Sequence, residues 1–345
     1  MKYVFGPVPS RRLGQSLGID TIPLKTCNWN CVYCQLGRTK PLVNERKEYY
    51  PTEEILLEVQ KVLDAHQPGE LDWVTFVGSG EPLLHSNMGY LIRQVKNMTD
   101  LPVAVITNGA LLYLPEVRQE LVVADAVLPS LDAGTPGLYL HINRPHPETT
   151  YDRLLAGLID FRSEYSGKLW VEVMLVHGLN DTSQALWSLL EALKLVQPDA
   201  VHINLPTRPP AEAWVHTPDE ESLMQVLSIL GNIAEVVHPA EGSFDLSGYD
   251  NPLDAVIGII TRHPMRQEEL ERTLDRWTPG EVNRVLDDLS SSGRAQVVER
   301  NGVRFWSASQ SLYPDIDHSQ RTMPGFRKHN RHGLDGEEDT LDNAK

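Results

Sequence analysis

The chain has 345 residues and a formal net charge of −16. That length suits one large domain plus a small one, and so acidic a balance weighs against a general nucleic-acid binder, which needs clustered Lys and Arg. No apolar run is long enough to span a bilayer and the first residues carry no signal-peptide core, so a cytoplasmic protein is expected.

The chain opens on Gly6-Pro7-Val8-Pro9-Ser10-Arg11-Arg12-Leu13-Gly14, a Pro/Gly-rich segment with two adjacent arginines. These are candidates for binding an anionic substrate group or docking at a barrel mouth; plain surface solubility is the alternative. Six apolar runs then read as strands: Leu17–Ile22, Trp73–Val77, Val103–Thr107, Ala126–Ser130, Leu169–Leu175 and Ala200–Leu205, with a shorter one near Ala234–Val237. Helical patterns fill the gaps. One runs from Glu53 to Ala65 with Leu56, Leu57, Val59, Val62 and Leu63 as its apolar face. Another is expected to start at Thr217-Pro218, a capping residue followed by Pro at the first helical position. Strands alternating with helices imply parallel βαβ units, hence an α/β fold. Six or seven such units predict a full or partial TIM-type barrel, with the site at the C-terminal ends of the strands; a doubly wound open sheet is the alternative.

Residues 252–309 read differently. Two helical patterns come first, the second opening on Thr278-Pro279-Gly280-Glu281, a capping box. Two strands follow, Ala295–Glu299 and Val303–Trp306, around Arg300-Asn301-Gly302, and Asn-Gly is a strong hairpin signal. Helices followed by a hairpin predict a small winged-helix-like domain. Its second helix sets Glu281, Asp287 and Asp288 against Arg284, a poor face for DNA, so protein contact or plain packing is expected instead. The expected domains are thus 1–245 and 252–309, followed by a polar tail over 310–345 whose composition predicts disorder. His318, His329 and His332 lie in that tail, without a recognisable ligand pattern.

All three cysteines fall together, as Cys27-Asn28-Trp29-Asn30-Cys31-Val32-Tyr33-Cys34. The spacing is C-x3-C-x2-C. A structural zinc site wants four ligands, commonly two C-x2-C pairs, and no second pair exists here. Electron-carrying cubanes use four thiolates, one for each iron. Three thiolates leave one iron open to a non-protein ligand, which suits catalysis.

This motif resembles the signature of the radical S-adenosylmethionine (SAM) superfamily, with Tyr33 at its aromatic position. The resemblance implies a partial (βα)6 barrel and a 4Fe-4S cluster on Cys27, Cys31 and Cys34. It also implies SAM on the open iron, cleaved by one electron to methionine and a 5′-deoxyadenosyl radical that abstracts hydrogen from a substrate. Flavodoxin or ferredoxin is the implied electron donor. By the same resemblance Gly78-Ser79-Gly80-Glu81-Pro82 takes the place of a Gly-Gly-Glu segment that seats the SAM amino group. Asn108 in Thr107-Asn108-Gly109 would lie at a strand tip near SAM. Ser130 and Asp132, on one side of their strand, would meet SAM or substrate, and Arg144 would pair with a carboxylate unless it is a solvated surface arginine. Glu172, His202 and Asn204 are polar residues in apolar strands, needing either a ligand or a core partner.

Ser-Arg-Arg-Leu-Gly, the cysteine loop and Gly-Ser-Gly-Glu-Pro are together most similar to the wyosine-synthase-like group. Archaeal members of that group build a second cluster from cysteines upstream of the barrel, and this chain has none there. The expectation is a single-cluster enzyme with an unassigned substrate. The alternatives are an iron–sulfur and SAM-dependent winged-helix regulator, or an activase that installs a glycyl radical in a partner.

Overall fold

The computed structural model describes residues 1–10, 12–237, 249, 251–274 and 278–314. Strand β1 (Val4–Ser10) forms an antiparallel hairpin with β2 (Gly14–Ile19). From β2 onward every neighbour is parallel: β3 (Trp73–Phe76), β4 (Val103–Thr107), β5 (Ala126–Pro129), β6 (Lys168–Met174), β7 (Ala200–Asn204) and β8 (Ala234–Val236). Spatial order follows chain order without a reversal. A doubly wound sheet needs a reversal, so that alternative falls. Strand β1 was not expected: its two prolines argue against a strand, but an edge position tolerates them.

Helices α1 (Thr52–Ala65), α2 (Met88–Met98), α3 (Pro115–Leu121), α4 (Pro136–Ile142), α5 (Tyr151–Glu164), α6 (Ser183–Val196) and α7 (Glu220–Leu230) connect the strands. Each turns an apolar stripe inward; on α1 it is Ile55, Leu56, Val59 and Val62, all buried. The expected start of α7 at Thr217-Pro218 is corrected. Asp219 caps the helix, accepting from the Ser222 amide at 2.8 Å, while Thr217 donates to the Pro206 carbonyl at 3.3 Å. Asp is a strong capping acceptor, and Glu220 and Glu221 behind it suit the helix dipole.

On the other face of the strands, Leu13, Ala104, Ala126 and Leu128 pack with Trp73, Ile106 and Trp170. Arg12 comes in from the β1–β2 turn and pairs with Glu172 on β6. Arg12, one of the two adjacent arginines, is thus committed to a carboxylate of the protein and enters from the N-terminal end of β2, opposite the strand ends that carry the cysteine loop. Glu172 thereby has a protein partner, and so has His202, whose Nε2 lies 3.2 Å from Glu235.

Beyond the barrel come α8 (Pro252–Arg262), β9 (Met265–Arg266), α9 (Gln267–Thr273), α10 (Pro279–Ser291), β10 (Ala295–Arg300) and β11 (Val303–Ala308). Three helices stand where two patterns were read, because α9 has only seven residues and one buried position, Leu270. The three strands form an antiparallel sheet in the order β10-β11-β9. A separate apolar core including Val256, Ile260, Leu286, Leu289 and Trp306 holds this module together. The Thr278–Glu281 capping box is present, with the Thr278 amide donating to Glu281 at 2.9 Å. The hairpin turn places Asn301 at φ 51° and Gly302 at φ 75°, the left-handed pair that a tight two-residue turn requires.

The module sits on the barrel. Arg262 donates from Nε to Asp20 at the end of β2, at 3.0 Å, and Gln35 donates to the Arg262 carbonyl, also at 3.0 Å. Arg300 reaches the carbonyls of Arg208 and Val215 in the segment after β7. Residues 310–314, assigned to the tail from the sequence, belong to the fold: Leu312 bridges Gly37, and the Tyr313 hydroxyl donates to the Gln35 carbonyl. The rest of the expected tail, with His318, His329 and His332, lies outside the described residues.

Candidate active site

The cysteine loop follows β2, at the C-terminal ends of the parallel strands. Two neighbours hold it there. On one side it lies against the segment after α4: the Asn30 amide donates to the Asn143 carbonyl at 3.0 Å and the Val32 amide to the Ile142 carbonyl at 2.9 Å. On the other side it is clasped to the Gly-rich segment after β3. The Lys25 amide donates to the Ser79 carbonyl at 2.7 Å, and the Glu81 amide to the Thr26 carbonyl at 2.9 Å. Gly80 allows this approach, since a Cβ there would lie 1.9 Å from the Thr26 oxygen.

All three cysteines are half-buried and unpaired. Each sulfur faces a nitrogen donor. Lys25 Nζ lies 3.2 Å from Cys34, Asn108 Nδ2 is 3.8 Å from Cys27, and Asn143 Nδ2 is 3.7 Å from Cys31. The Trp29 amide adds a contact to Cys27 at 3.4 Å. Burial pushes the Cys27 thiol up to about 12, and burial together with the neighbouring sulfurs raises Cys31 as well. Thiols placed this way ionise only against a strong positive charge, which iron supplies. Burial pulls the pKa of Lys25 down, Cys34 and Cys27 pull it up, and the net shift is upward. Among the described residues no three His, Cys, Asp or Glu side chains converge as a single metal ion would need. Thiolates that bind separate irons of a cubane have no need to converge, and three thiols with aligned donors fit such a cluster.

Two buried carboxylates organise the surroundings. Glu81 accepts from Thr107 Oγ1 at 2.6 Å, the Asn108 amide at 2.7 Å and the Leu83 amide at 3.0 Å. Burial pushes its carboxyl up to about 7 against the pull of those donors. Asn108 is thereby held, and its side chain donates to Asn28 inside the cysteine loop at 2.6 Å. Asp132 accepts from the Tyr33 hydroxyl at 2.5 Å, Asn143 at 2.6 Å and the Met174 amide at 2.8 Å. Burial raises its pKa despite these bonds. Asn180 fixes the same corner by donating to the Asp132 and Met174 carbonyls, each at 2.8 Å.

Of the residues singled out in the sequence, Tyr33, Glu81, Asn108 and Asp132 therefore surround the cysteine loop through bonds within the protein. Ser130 is half-buried beside Glu172, and its hydroxyl has no hydrogen-bond partner among the described residues. Arg144 is not a solvated surface residue: it pairs with Glu212 at 2.5 Å. Arg38 grips the same carboxylate twice, at 3.0 and 2.8 Å. Burial opposes the charge of Glu212, and the two arginines overcome it and keep its pKa low. Glu212, Lys25, Asn28, Asn143 and Asn180 were missed in the sequence. Lys25 alone carried a signal there, its place two residues before Cys27.

This arrangement defines an α/β protein that presents three thiols on one loop at the C-terminal ends of its parallel strands. The chain belongs to the radical SAM superfamily, whose profile matches residues 21–209. The superfamily uses a 4Fe-4S cluster and SAM and performs SAM-derived radical chemistry. A UPF0026 protein of Methanocaldococcus jannaschii is 34% identical over 311 residues, covering 89% of this chain and 96% of that protein. A protein of Brachyspira hyodysenteriae named GTPase Obg is 44% identical over 315 residues. The match covers 89% of this chain but only 45% of that relative's length. Among solved structures, TYW1 with a lysine-pyruvate adduct bound is similar with a TM-score of 0.48 and 19% identity, over 62% of this chain and 72% of that one.

Proposed function

We propose that this chain is a single-cluster radical SAM enzyme that abstracts hydrogen from a substrate, with Cys27, Cys31 and Cys34 as the cluster ligands. The observation carrying this reading is one loop that presents three half-buried thiols, each facing a nitrogen donor. When bound, the cluster and SAM together supply a 5′-deoxyadenosyl radical, generated by one electron from an external donor such as flavodoxin or ferredoxin. The chain's own residues hold and shield. Lys25, Asn108 and Asn143 direct N–H groups at the sulfurs, which stabilises negative charge on them.

We assign the SAM seat to the shell made by Tyr33, Gly78, Gly80, Glu81, Asn108, Ser130, Asp132 and Arg144. Within it, Glu81 and Asp132 have their carboxylates committed to protein donors, so they act by holding Asn108 and Tyr33 in place. Ser130 offers an uncommitted hydroxyl. Arg144 serves by tying Glu212 over the cysteine loop. The barrel is assigned to residues 1–245, and the module beyond it to a winged-helix-like domain. Three helices with a three-stranded antiparallel sheet support that assignment. Its docking on Gln35, Gly37 and Arg38 favours a role at the cluster over DNA binding.

The test is anaerobic reconstitution, iron counting, and dithionite reduction with SAM followed by chromatography for 5′-deoxyadenosine. About four irons per chain are expected, as in a 4Fe-4S centre, with product that disappears in Cys31→Ala. Iron well below that count, or product that survives Cys31→Ala, would sink the assignment.

A further inference from the structure

A cleft of about 770 Å³ opens where the C-terminal module meets the cysteine loop. Its ionisable lining residues are Lys25, Arg38, Lys40 and Arg294, with no carboxylate among them, in a chain of net charge −16. Ile257 and Leu312 contribute apolar surface between these cations. Two of the cations are committed: Arg38 to Glu212, and Lys25 to Cys34 and the Gly37 carbonyl. Lys40 and Arg294 are exposed, and neither has an ion-pair partner among the described residues. One wall of the cleft is therefore a residue 3.2 Å from a cysteine sulfur, and its rim carries two uncommitted positive charges.

We propose that this cleft is the docking site of an acidic one-electron carrier protein, and that the electron enters the cluster on the Cys34 side, past Lys25. The proposal rests on the cluster assignment made above and adds the place of entry and the kind of partner. Three physical points favour it. An electron carrier must bring its redox group close to the acceptor, and this cleft reaches a side chain in contact with a proposed ligand. A cationic rim steers a partner of opposite sign, and around an apolar patch it gives the layout of a protein interface. The chain's net charge of −16 opposes an acidic carrier on average, so a local positive site favours one orientation of encounter. An RNA would need many phosphate contacts, and two uncommitted cations supply too few.

The electron transfer balances simply. The reduced carrier loses one electron and the cluster gains it, with no bond formed in that step.

The test compares the reconstituted wild-type enzyme with Lys40→Glu/Arg294→Glu. Cluster reduction is followed by anaerobic stopped-flow absorbance, with reduced flavodoxin and separately with dithionite. The rate with flavodoxin is expected to fall about tenfold or more at low ionic strength, with the gap narrowing as salt rises. Dithionite reduction, and 5′-deoxyadenosine formation driven by dithionite, should be unchanged. A control of equal charge change on the outer helices, Lys61→Glu/Arg93→Glu, should keep most of the wild-type rate. The neutral pair Lys40→Gln/Arg294→Gln should give an intermediate loss even if the reversal disturbs folding.

An unchanged flavodoxin rate in both cleft variants would overturn the proposal, as would an equal loss in the control. So would intact flavodoxin reduction accompanied by lost binding of a short RNA. Failure of the cluster assignment itself would look different, because wild-type enzyme would then form no 5′-deoxyadenosine with dithionite.

Discussion

Gly80→Ala isolates the contact between the cysteine loop and the Gly-rich segment. The added Cβ would lie 1.9 Å from the Thr26 oxygen and 2.6 Å from the Thr26 carbonyl carbon. Both are backbone atoms, so no side chain can rotate out of the way. The loops must part by roughly 1 Å or more to restore ordinary van der Waals contact. The Lys25 amide bond to Ser79, at 2.7 Å, and the Glu81 amide bond to Thr26, at 2.9 Å, bridge that same gap. Losing a buried backbone bond costs about 1–3 kcal/mol, so the pair predicts a destabilisation of about 2–6 kcal/mol. Gly78→Ala is the control: its Cβ would meet only the end of the Ile22 side chain, at 3.1 Å, before reaching the Gly80 amide at 3.4 Å. Urea unfolding of the two variants without iron, and iron content after reconstitution, measure the difference. Gly80→Ala should lose both stability and cluster loading, with Gly78→Ala close to wild type. Equal behaviour of the two, or full loading in Gly80→Ala, would show that the loop contact does not set the cluster site.

Three further outcomes are expected. Arg12→Met leaves Glu172 as a buried carboxylate without its cation, which should cost about 3–5 kcal/mol in urea unfolding; the double variant Arg12→Met/Glu172→Gln should recover much of that, and failure to recover would mean that Arg12 matters by packing alone. Lys25→Gln removes a positive charge from Cys34, so the reduced cluster is less stabilised and its midpoint potential should move negative in a titration followed by electron paramagnetic resonance; an unmoved potential would refute the coupling. Burial, reinforced by Arg12, lowers the His202 pKa to about 4, and burial with Arg208 and Arg262 lowers that of His263 to about 3. A folded-state pKa below the unfolded 6.5 favours the neutral ring, so this stability is present above about pH 6.5 and is lost as pH falls through the folded values. His202→Gln should therefore flatten the decline in unfolding free energy between pH 7 and pH 5, and an unaltered decline would refute the assignment.

The barrel was legible because its signals are local. Apolar runs such as Val103–Thr107 are long enough for a strand and end in turn residues, and α1 repeats its apolar residues at helical spacing. The Thr278 capping box and the Asn301-Gly302 turn are chemical statements made by four and two adjacent residues. Strand β1 was missed because prolines argue against strands, and only its place at a sheet edge makes them acceptable. The start of α7 was misplaced because Thr217 and Asp219 are both capping residues, and their neighbours in space decide between them.

The candidate site divides the same way. The spacing of Cys27, Cys31 and Cys34 stands in the sequence by itself, because one short loop carries all three. The partners of that loop do not. Lys25 reaches Cys34 through a folded turn, Asn143 is 112 positions from Cys31, and Glu212 is 174 positions from Arg38. Pairings across such separations exist only after seven parallel strands have brought their C-terminal ends together. The sequence by itself determined the spacing of the three cysteines and the alternation that builds the parallel strands, since both depend on neighbours along the chain. Tertiary structure alone decided that Glu81 and Asp132 brace the site from within, that Arg12 pairs with Glu172, and that the C-terminal module lies over the cysteine loop. Each of these is a contact between distant segments, chosen by packing and by the need of buried charges for partners.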